Sequence, residues 1–252
     1  MPTGLLELRG VRKSFDGAEA LAPTSLAIDD GSFVALVGPS GCGKSTLFNL
    51  IAGLLRPDAG DVVLAGASVT GSTGHVGYML QKDLLLPWRT VEDNITLAAR
   101  LTGRVTPEER SEARRVAAQY GLGEFLRHYP SALSGGMRQR VAFMRTLAAH
   151  QDLLLLDEPF GALDAQTRLE MQQWLVQVWR ESGRTVLFIT HDVDESIFLS
   201  DRVLVMSPRP GRIVADFDVP LARPRGIGTL TEPEFIEIKA RIMRLLHGEA
   251  GA

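Results

Sequence analysis

Cysteine is almost missing from this chain: Cys42 is the only one in 252 residues. A lone thiol excludes an intrachain disulfide and fits a reducing compartment. Long apolar runs are missing too. Runs such as Leu153–Leu156 are strand-sized and far short of the roughly 20 residues that cross a bilayer. Any work at a membrane would need another chain to do the crossing. Met1 to Arg9 has no basic segment followed by an apolar core, so no signal peptide is expected. Neither sign of charge dominates, and a net charge of −3 gives no reason to expect nucleic acid. Internal repeats and low-complexity tracts are absent. A hydrophobic share of 45% and a charged share of 23% are ordinary for a globular protein. The length allows one large domain, or a domain with a subdomain.

What is present is organised around Gly38-Pro39-Ser40-Gly41-Cys42-Gly43-Lys44-Ser45-Thr46. This fits the phosphate-binding pattern G-x-x-x-x-G-K-[ST] at every fixed position. Phe33–Val37 enters it as a buried strand, and a helix expected over Ser45–Leu55 leaves it. Glycines let backbone N–H groups turn inward around an anion, and the helix N-terminus adds partial positive charge. Lys44 would reach the β- and γ-phosphates, and the Ser45 hydroxyl would ligate Mg²⁺. Cys42, inside the loop, is expected to react with thiol reagents and to be protected by the bound nucleotide.

Leu5–Phe15 and Leu21–Ile28 read as strands around a turn at Asp16-Gly17. Phe15 either packs in a core or stacks on a base. Strands are expected at Asp61–Ala65 and Val76–Leu80, with Gln81 directly after the second. Its amide is either a surface group or one that orients water and touches Mg²⁺. Asp83 to Val91 carries three leucines, a proline and a tryptophan, a cluster either tucked into a core or offered to a partner. Helices are expected over Val91–Leu101 and Pro107–Tyr120, the second with a capping box at Thr106 and Glu109. They belong to an inserted helical subdomain, about residues 84–150.

Its end carries Leu133-Ser134-Gly135-Gly136-Met137-Arg138-Gln139-Arg140. A Ser-Gly-Gly turn opening a helix is either an ordinary serine cap or a second anion site without a lysine. Asp152–Leu156 is a buried strand that brings Asp157 and Glu158 to the carboxyl end of a sheet. There Asp157 would hold the Mg²⁺ shell and Glu158 would polarise an attacking water. Gly161-Ala162-Leu163-Asp164 caps a helix over Ala165–Glu181. The strand Thr185–Ile189 ends at His191, either structural or a donor to a γ-phosphate. A helix over Val193–Leu199 and strands over Arg202–Met206 and Arg212–Asp218 follow. Pro220–Gly228 reads as a linker, and Thr231 with Glu234 as the capping box of a last helix.

In this order the motifs resemble the nucleotide-binding subunits of ATP-binding cassette (ABC) transporters, over nearly the whole chain. The resemblance implies an α/β fold: a P-loop NTPase (RecA-like) core, an antiparallel β subdomain and an inserted α-helical subdomain. It divides the chain into an ATPase domain, 1–230, and a C-terminal helix and tail, 231–252. It implies ATP and Mg²⁺ as ligands, with Gly38 through Thr46 on the phosphates. Phe15 becomes the adenine-stacking aromatic, and Ser134, Gly135 and Gly136 the signature. Asp164 becomes the D-loop aspartate. Glu158, His191 and Gln81 become the catalytic set, and Ser45, Gln81 and Asp157 the metal ligands. Two copies would pack head to tail, with the signature of one closing on the nucleotide of the other. Met137 departs from the glutamine common in the family, and activity is expected to survive that change; Gly161, often serine there, removes a hydroxyl but keeps Asp164.

The segment Gln81 to Asn94, with Leu-Ser-Gly-Gly-Met-Arg-Gln-Arg, is similar to the nitrate/sulfonate/taurine importer ATPases. That group implies separate membrane subunits, met here through Leu85, Leu86 and Trp88. A solute-binding protein would be an indirect partner, nucleic acid none, and the location the cytoplasmic face of the inner membrane, peripherally. The alternatives are a soluble ABC ATPase acting on DNA or ribosomes, and an export or lipid-handling cassette.

Overall fold

The computed structural model describes residues 4–101, 103, 105–161 and 163–247. The chain opens with a hairpin of β1 (Leu6–Phe15) and β2 (Ala18–Ile28). Asp16 and Gly17 turn it at φ 48° and 79°, the paired positive values that suit the twist of the strands. Then come β3 (Phe33–Val37) and α1 (Lys44–Ile51). The helix expected to reach Leu55 stops earlier, because Gly53 turns left-handed at φ 72°. β4 (Ala59–Leu64) and β5 (Ala67–Ser68) form a second hairpin, followed by β6 (Gly77–Met79).

The helical stretch holds α2 (Val91–Ile95), α3 (Leu97–Leu101), α4 (Pro107–Gln119) and α5 (Gly135–Leu147). Periodicity predicted one helix over Val91–Leu101; the structure has two, and the Thr96 hydroxyl between them donates to Glu92 O at 2.9 Å. The capping box of Thr106 and Glu109 is formed in both directions. The order ends with β7 (Leu153–Asp157), α6 (Ala165–Ser182), β8 (Thr185–Ile189), α7 (Val193–Leu199), β9 (Arg202–Met206), β10 (Ile213–Asp218) and α8 (Pro233–Leu246).

Residues up to Val76 and those from Trp179 onward form one compact unit, and Gly77–Val178 forms another. The first unit holds an antiparallel sheet in the order β2-β1-β4-β5. It also holds β3 between parallel neighbours β8 and β9, with β10 antiparallel to β9. β3 and β8 are buried at every position, which is why both read as unbroken apolar runs rather than alternating ones. Phe33 packs edge-on against Phe188 and Trp179.

Two sequence expectations for the tail are corrected. Pro220–Gly228 is not a free linker. Arg225 donates to the carbonyls of Ile197, Phe198 and Ser200 at the end of α7, and to those of Val219 and Leu221. Helix ends leave such carbonyls without partners, and the guanidinium supplies them. Burial lowers its pKa to about 10. Arg223 lies 4.8 Å over the Trp179 ring and pairs with Asp201 at 2.8 Å. The expected capping box of α8 is absent as well. Thr231 instead donates to Gly228 O at 2.8 Å, and Pro233 occupies the first turn, where a missing N–H costs nothing. α8 buries Phe235, Ile238 and Ile242, and its Lys239 pairs with Asp194 of α7 at 2.7 Å.

In the second unit β6 and β7 run parallel. Trp174 of α6 is a packing centre there, edge-on to Tyr120 and Phe143. No helix among the described residues is long and apolar enough to cross a membrane.

Candidate nucleotide site

In the first unit, two parallel strands end side by side. Leu36 of β3 pairs with Ile189 of β8, and Thr190 N–H donates to Leu36 O at 3.3 Å. The phosphate loop and His191 therefore leave one sheet edge together, at the carboxyl ends where α/β sheets hold ligands. Gly43, at φ 107°, caps α1 without a side-chain hydrogen bond. The first-turn N–H groups are thus left to a ligand rather than to a capping oxygen. Lys44 is only 8% exposed; its Nζ donates to Gly38 O at 2.8 Å and Pro39 O at 3.1 Å. Ser40, Gly41 and Ser45 are exposed, while Pro39, Gly43 and Thr46 are half-buried. Cys42 is 1% exposed, with Sγ 3.8 Å from Lys44 Nζ. Its burial beneath the loop removes the ground for the ready thiol modification expected from the sequence.

Phe15 is 41% exposed at the hairpin tip, with Lys13 Nζ 5.7 Å from its ring centroid. Lys13 pairs with Asp58 at 2.7 Å. That bond and the Ser14 N–H hold the Asp58 carboxyl below its ordinary range. His191 is exposed, and its neighbours are pinned. The Thr190 hydroxyl donates to the buried Glu195 carboxylate and accepts from Asp192 N–H at 3.1 Å. Asp192 Oδ1 accepts from Glu195 N–H at 3.1 Å. Neither Thr190 nor Glu195 stood out in the sequence, because their contact depends on how α7 starts.

The second unit repeats the device with different side chains. Met79 of β6 pairs with Leu156 of β7, so Gln81 and Asp157-Glu158 leave one edge. Gln81 Nε2 donates to Glu158 Oε2 at 3.0 Å. Glu158 sits at φ 45°, a conformation that costs a non-glycine residue on the order of 1–3 kcal/mol. Asp157 is 8% exposed. Tyr78 of β6 hydrogen-bonds to it; burial first, and then that carboxylate, push the phenol pKa up. Tyr78 was not singled out from the sequence, which does not say that β6 pairs with β7.

Ser134 caps α5 by accepting from Met137 N–H at 3.3 Å, so the serine-cap reading is observed directly. Ser134 and Gly135 are exposed, and Gly136 is buried. A methyl group on Gly136 would come within 2.7 Å of Thr167 Cγ2. Asp164 caps α6: its Oδ1 accepts from Gln166 and Thr167 N–H, at 3.1 and 3.0 Å. Its Oδ2 accepts from the Thr167 hydroxyl at 2.6 Å, and these bonds hold the carboxyl below its ordinary range.

The Leu/Trp segment needs one correction. Leu85 is 7% exposed and belongs to the core, whereas Leu84 and Trp88 are 51% and 70% exposed. Leu84 takes a left-handed φ of 44°, which turns it outward in place of Leu85. Leu86 is half-buried. Buried Asn94 ties the loop together. Its Oδ1 accepts from Leu86 N–H at 2.8 Å, and its Nδ2 donates to the carbonyls of Leu86, Arg89 and Thr90 at 3.0–3.2 Å. Arg145 of α5 donates to Asp83 O and Leu84 O at 2.6 and 2.7 Å, and Arg138 pairs with the Asp83 carboxylate at 3.1 Å.

A glycine-turned helix start without a side-chain cap, a buried lysine at its base and an exposed hydroxyl beside it fit a nucleoside triphosphate. Comparison with known proteins agrees. The family described as ABC transporter matches residues 21–161. A taurine import ATP-binding protein of Rhizobium johnstonii is 45% identical, over 90% of this chain and 89% of its own length. A putative ATP-binding protein of Brucella abortus is 42% identical, over 96% of this chain and 93% of its own. A solved dimeric structure of the ATP-binding cassette MJ0796, bound to ADP and Pi in a post-hydrolysis state, superposes with a TM-score of 0.72. It is 29% identical and covers 88% of this chain and 99% of its own. The chain therefore belongs to the ABC transporter family, as an ATP-binding, ATP-hydrolysing cassette with the P-loop NTPase fold.

Proposed function

We propose that this cassette powers uptake of a small anionic or zwitterionic solute, of the taurine, sulfonate or nitrate class, through separate membrane subunits. The observation that carries the reading is the 45% identity to a taurine import ATP-binding protein over most of both chains. The exposed Leu84 and Trp88, on a loop fastened from within, support it as the surface that meets a membrane subunit. The subunit would work at the cytoplasmic face of the membrane, with a solute-binding protein as an indirect partner. Residues 1–230 would form the ATPase domain, with its helical subdomain at 84–150, and 231–252 a C-terminal appendage.

In the proposed reaction, Phe15 stacks on the adenine and the amides of residues 38–46 surround the phosphates. Lys44 leaves the carbonyls of Gly38 and Pro39 for the phosphate oxygens. Glu158 accepts a proton from the attacking water, oriented with Gln81. The water oxygen bonds to the γ-phosphorus as the bond to the ADP oxygen breaks. His191 donates to the γ-phosphate. Mg²⁺, when bound, neutralises charge on the phosphate oxygens, and Ser45, Gln81 and Asp157 supply oxygen donors of the kind it takes. The exposed Ser134 and Gly135, with Gly136, would serve the nucleotide of a second copy in a head-to-tail dimer; Asp164 would lie at that interface. Dimeric cassettes among the structural relatives support this arrangement.

Uptake of labelled taurine, an alkanesulfonate and nitrate tests the reading, in cells carrying the wild-type gene, no gene, or Glu158→Gln. Uptake of one solute that needs both the gene and Glu158 is expected. Uptake of all three that ignores the gene would sink the importer assignment and leave the ATPase standing.

A further inference from the structure

The loop Ser207–Arg212, between β9 and β10, lies outside every motif described so far. It is braced by its own bonds: Ser207 N–H donates to Arg212 O at 2.9 Å, and Arg212 N–H donates to Ser207 Oγ at 3.2 Å. From this brace it reaches two places. One is the hairpin that carries Phe15. Exposed Arg209 donates to Glu19 O at 3.1 Å and to Ala18 O at 3.4 Å. Ala18 is the residue paired with Phe15 across the turn. Gly211 continues the contact: its N–H donates to Ala20 O at 3.0 Å, and its carbonyl accepts from Ala22 N–H at 2.9 Å.

The other place is the underside of the phosphate loop. A methyl group on Gly211 would come within 1.9 Å of Cys42 O and 2.7 Å of Met206 Cε. Cys42 has the least side-chain exposure of the loop's middle, and its carbonyl rests on bare backbone. Met206, which ends β9, backs the same loop: a methyl on Gly38 would lie 3.0 Å from Met206 Cβ. The requirement for glycine at 211 is thus one of space.

We propose that Ser207–Arg212 is a positioning clamp for the nucleotide. Arg209 fixes the hairpin that presents Phe15 to the base, and Gly211 sets the height of the phosphate loop. One short loop thereby holds the base-binding and phosphate-binding parts of the first unit in register. Both residues act through others and touch no reacting atom. The Arg209 half rests on the reading of Phe15 as the adenine platform.

The test separates base from phosphates. The probes are Mg-ATP and tripolyphosphate, which has no base and competes with ATP. Steady-state hydrolysis by the full chain gives KM and kcat for ATP and the inhibition constant of tripolyphosphate. Loss of the two charge-assisted bonds to Glu19 O and Ala18 O, at an exposed site, predicts that Arg209→Ala raises KM for ATP about three- to tenfold. Its kcat and its tripolyphosphate inhibition should stay at wild-type values, and Arg209→Lys should recover part of the loss. Gly211→Ala should weaken ATP and tripolyphosphate alike. If Gly211→Ala does not fold, Met206→Ala probes the same support and should weaken both ligands.

Phe15→Ala is the control. Weakened ATP binding in Phe15→Ala with wild-type binding in Arg209→Ala overturns the clamp alone. Wild-type ATP binding in Phe15→Ala overturns the adenine reading, and the Arg209 half with it. Equal losses of ATP and tripolyphosphate in Arg209→Ala reduce Arg209 to a structural tie and overturn its role. Unchanged tripolyphosphate inhibition in a folded Gly211→Ala or Met206→Ala overturns the loop-height role.

Discussion

The edge made by β3 and β8 and the edge made by β6 and β7 are built alike: two parallel strands, paired in register, each ending in a short turn. Their side chains are of opposite character. The first edge offers backbone N–H groups, the ammonium of Lys44 and the imidazole of His191. The second offers the carboxylates of Asp157 and Glu158 with the amide of Gln81. The first suits an anionic substrate, and the second suits a proton and a cation. Backbone architecture alone therefore assigns no role; the terminal side chains do. Each edge should fail in its own way when altered.

The largest effect is expected at the acidic edge. Glu158→Gln keeps the shape and the hydrogen bond from Gln81 but removes the proposed base. Its kcat should fall about 10²- to 10⁴-fold with ATP binding retained, and light scattering should show a dimer only with Mg-ATP. Turnover like wild type would move the base elsewhere. Lys44→Ala should do the reverse. Loss of a buried charge-assisted donor predicts ATP affinity about 10- to 100-fold weaker by calorimetry. Unchanged affinity would break the division of labour between the edges.

Ser134→Ala sharpens a second contrast, between two helix starts. α1 has no side-chain cap, whereas α5 has one. Removing the α5 cap should cost about 1 kcal/mol in a denaturant melt. ATP affinity of the monomer should not change, and hydrolysis that needs the dimer should drop. A melt without any hydrolysis loss would confine Ser134 to capping. The smallest effect on the isolated subunit is expected from Trp88→Ala, because the indole is 70% exposed. The readout is recovery of the membrane complex, which should fall. A fall in stability of the subunit itself would place the indole in its core.

The features legible in the sequence are those that depend on a local pattern. Gly43 and Lys44, the Thr106–Glu109 box and the Asp16-Gly17 turn all act within a few residues of themselves. What escaped was long-range. Arg225 reads as part of a Pro/Arg/Gly linker until the end of α7 presents its carbonyls, some 25 residues away. Tyr78 gains meaning only when β6 pairs with β7. Leu84 and Leu85 exchange places through one left-handed φ, which a run of leucines does not announce. Asp83 looks like a loop residue until two arginines on α5 take hold of it and its neighbour.

That last hold has a mechanical meaning. Arg138 and Arg145 stand seven residues apart on one helix, two turns along the same face. They grip adjacent residues of the loop, and Asn94 stiffens the loop from inside. The loop bearing Leu84 and Trp88 is therefore fastened directly to the helix that Ser134 caps.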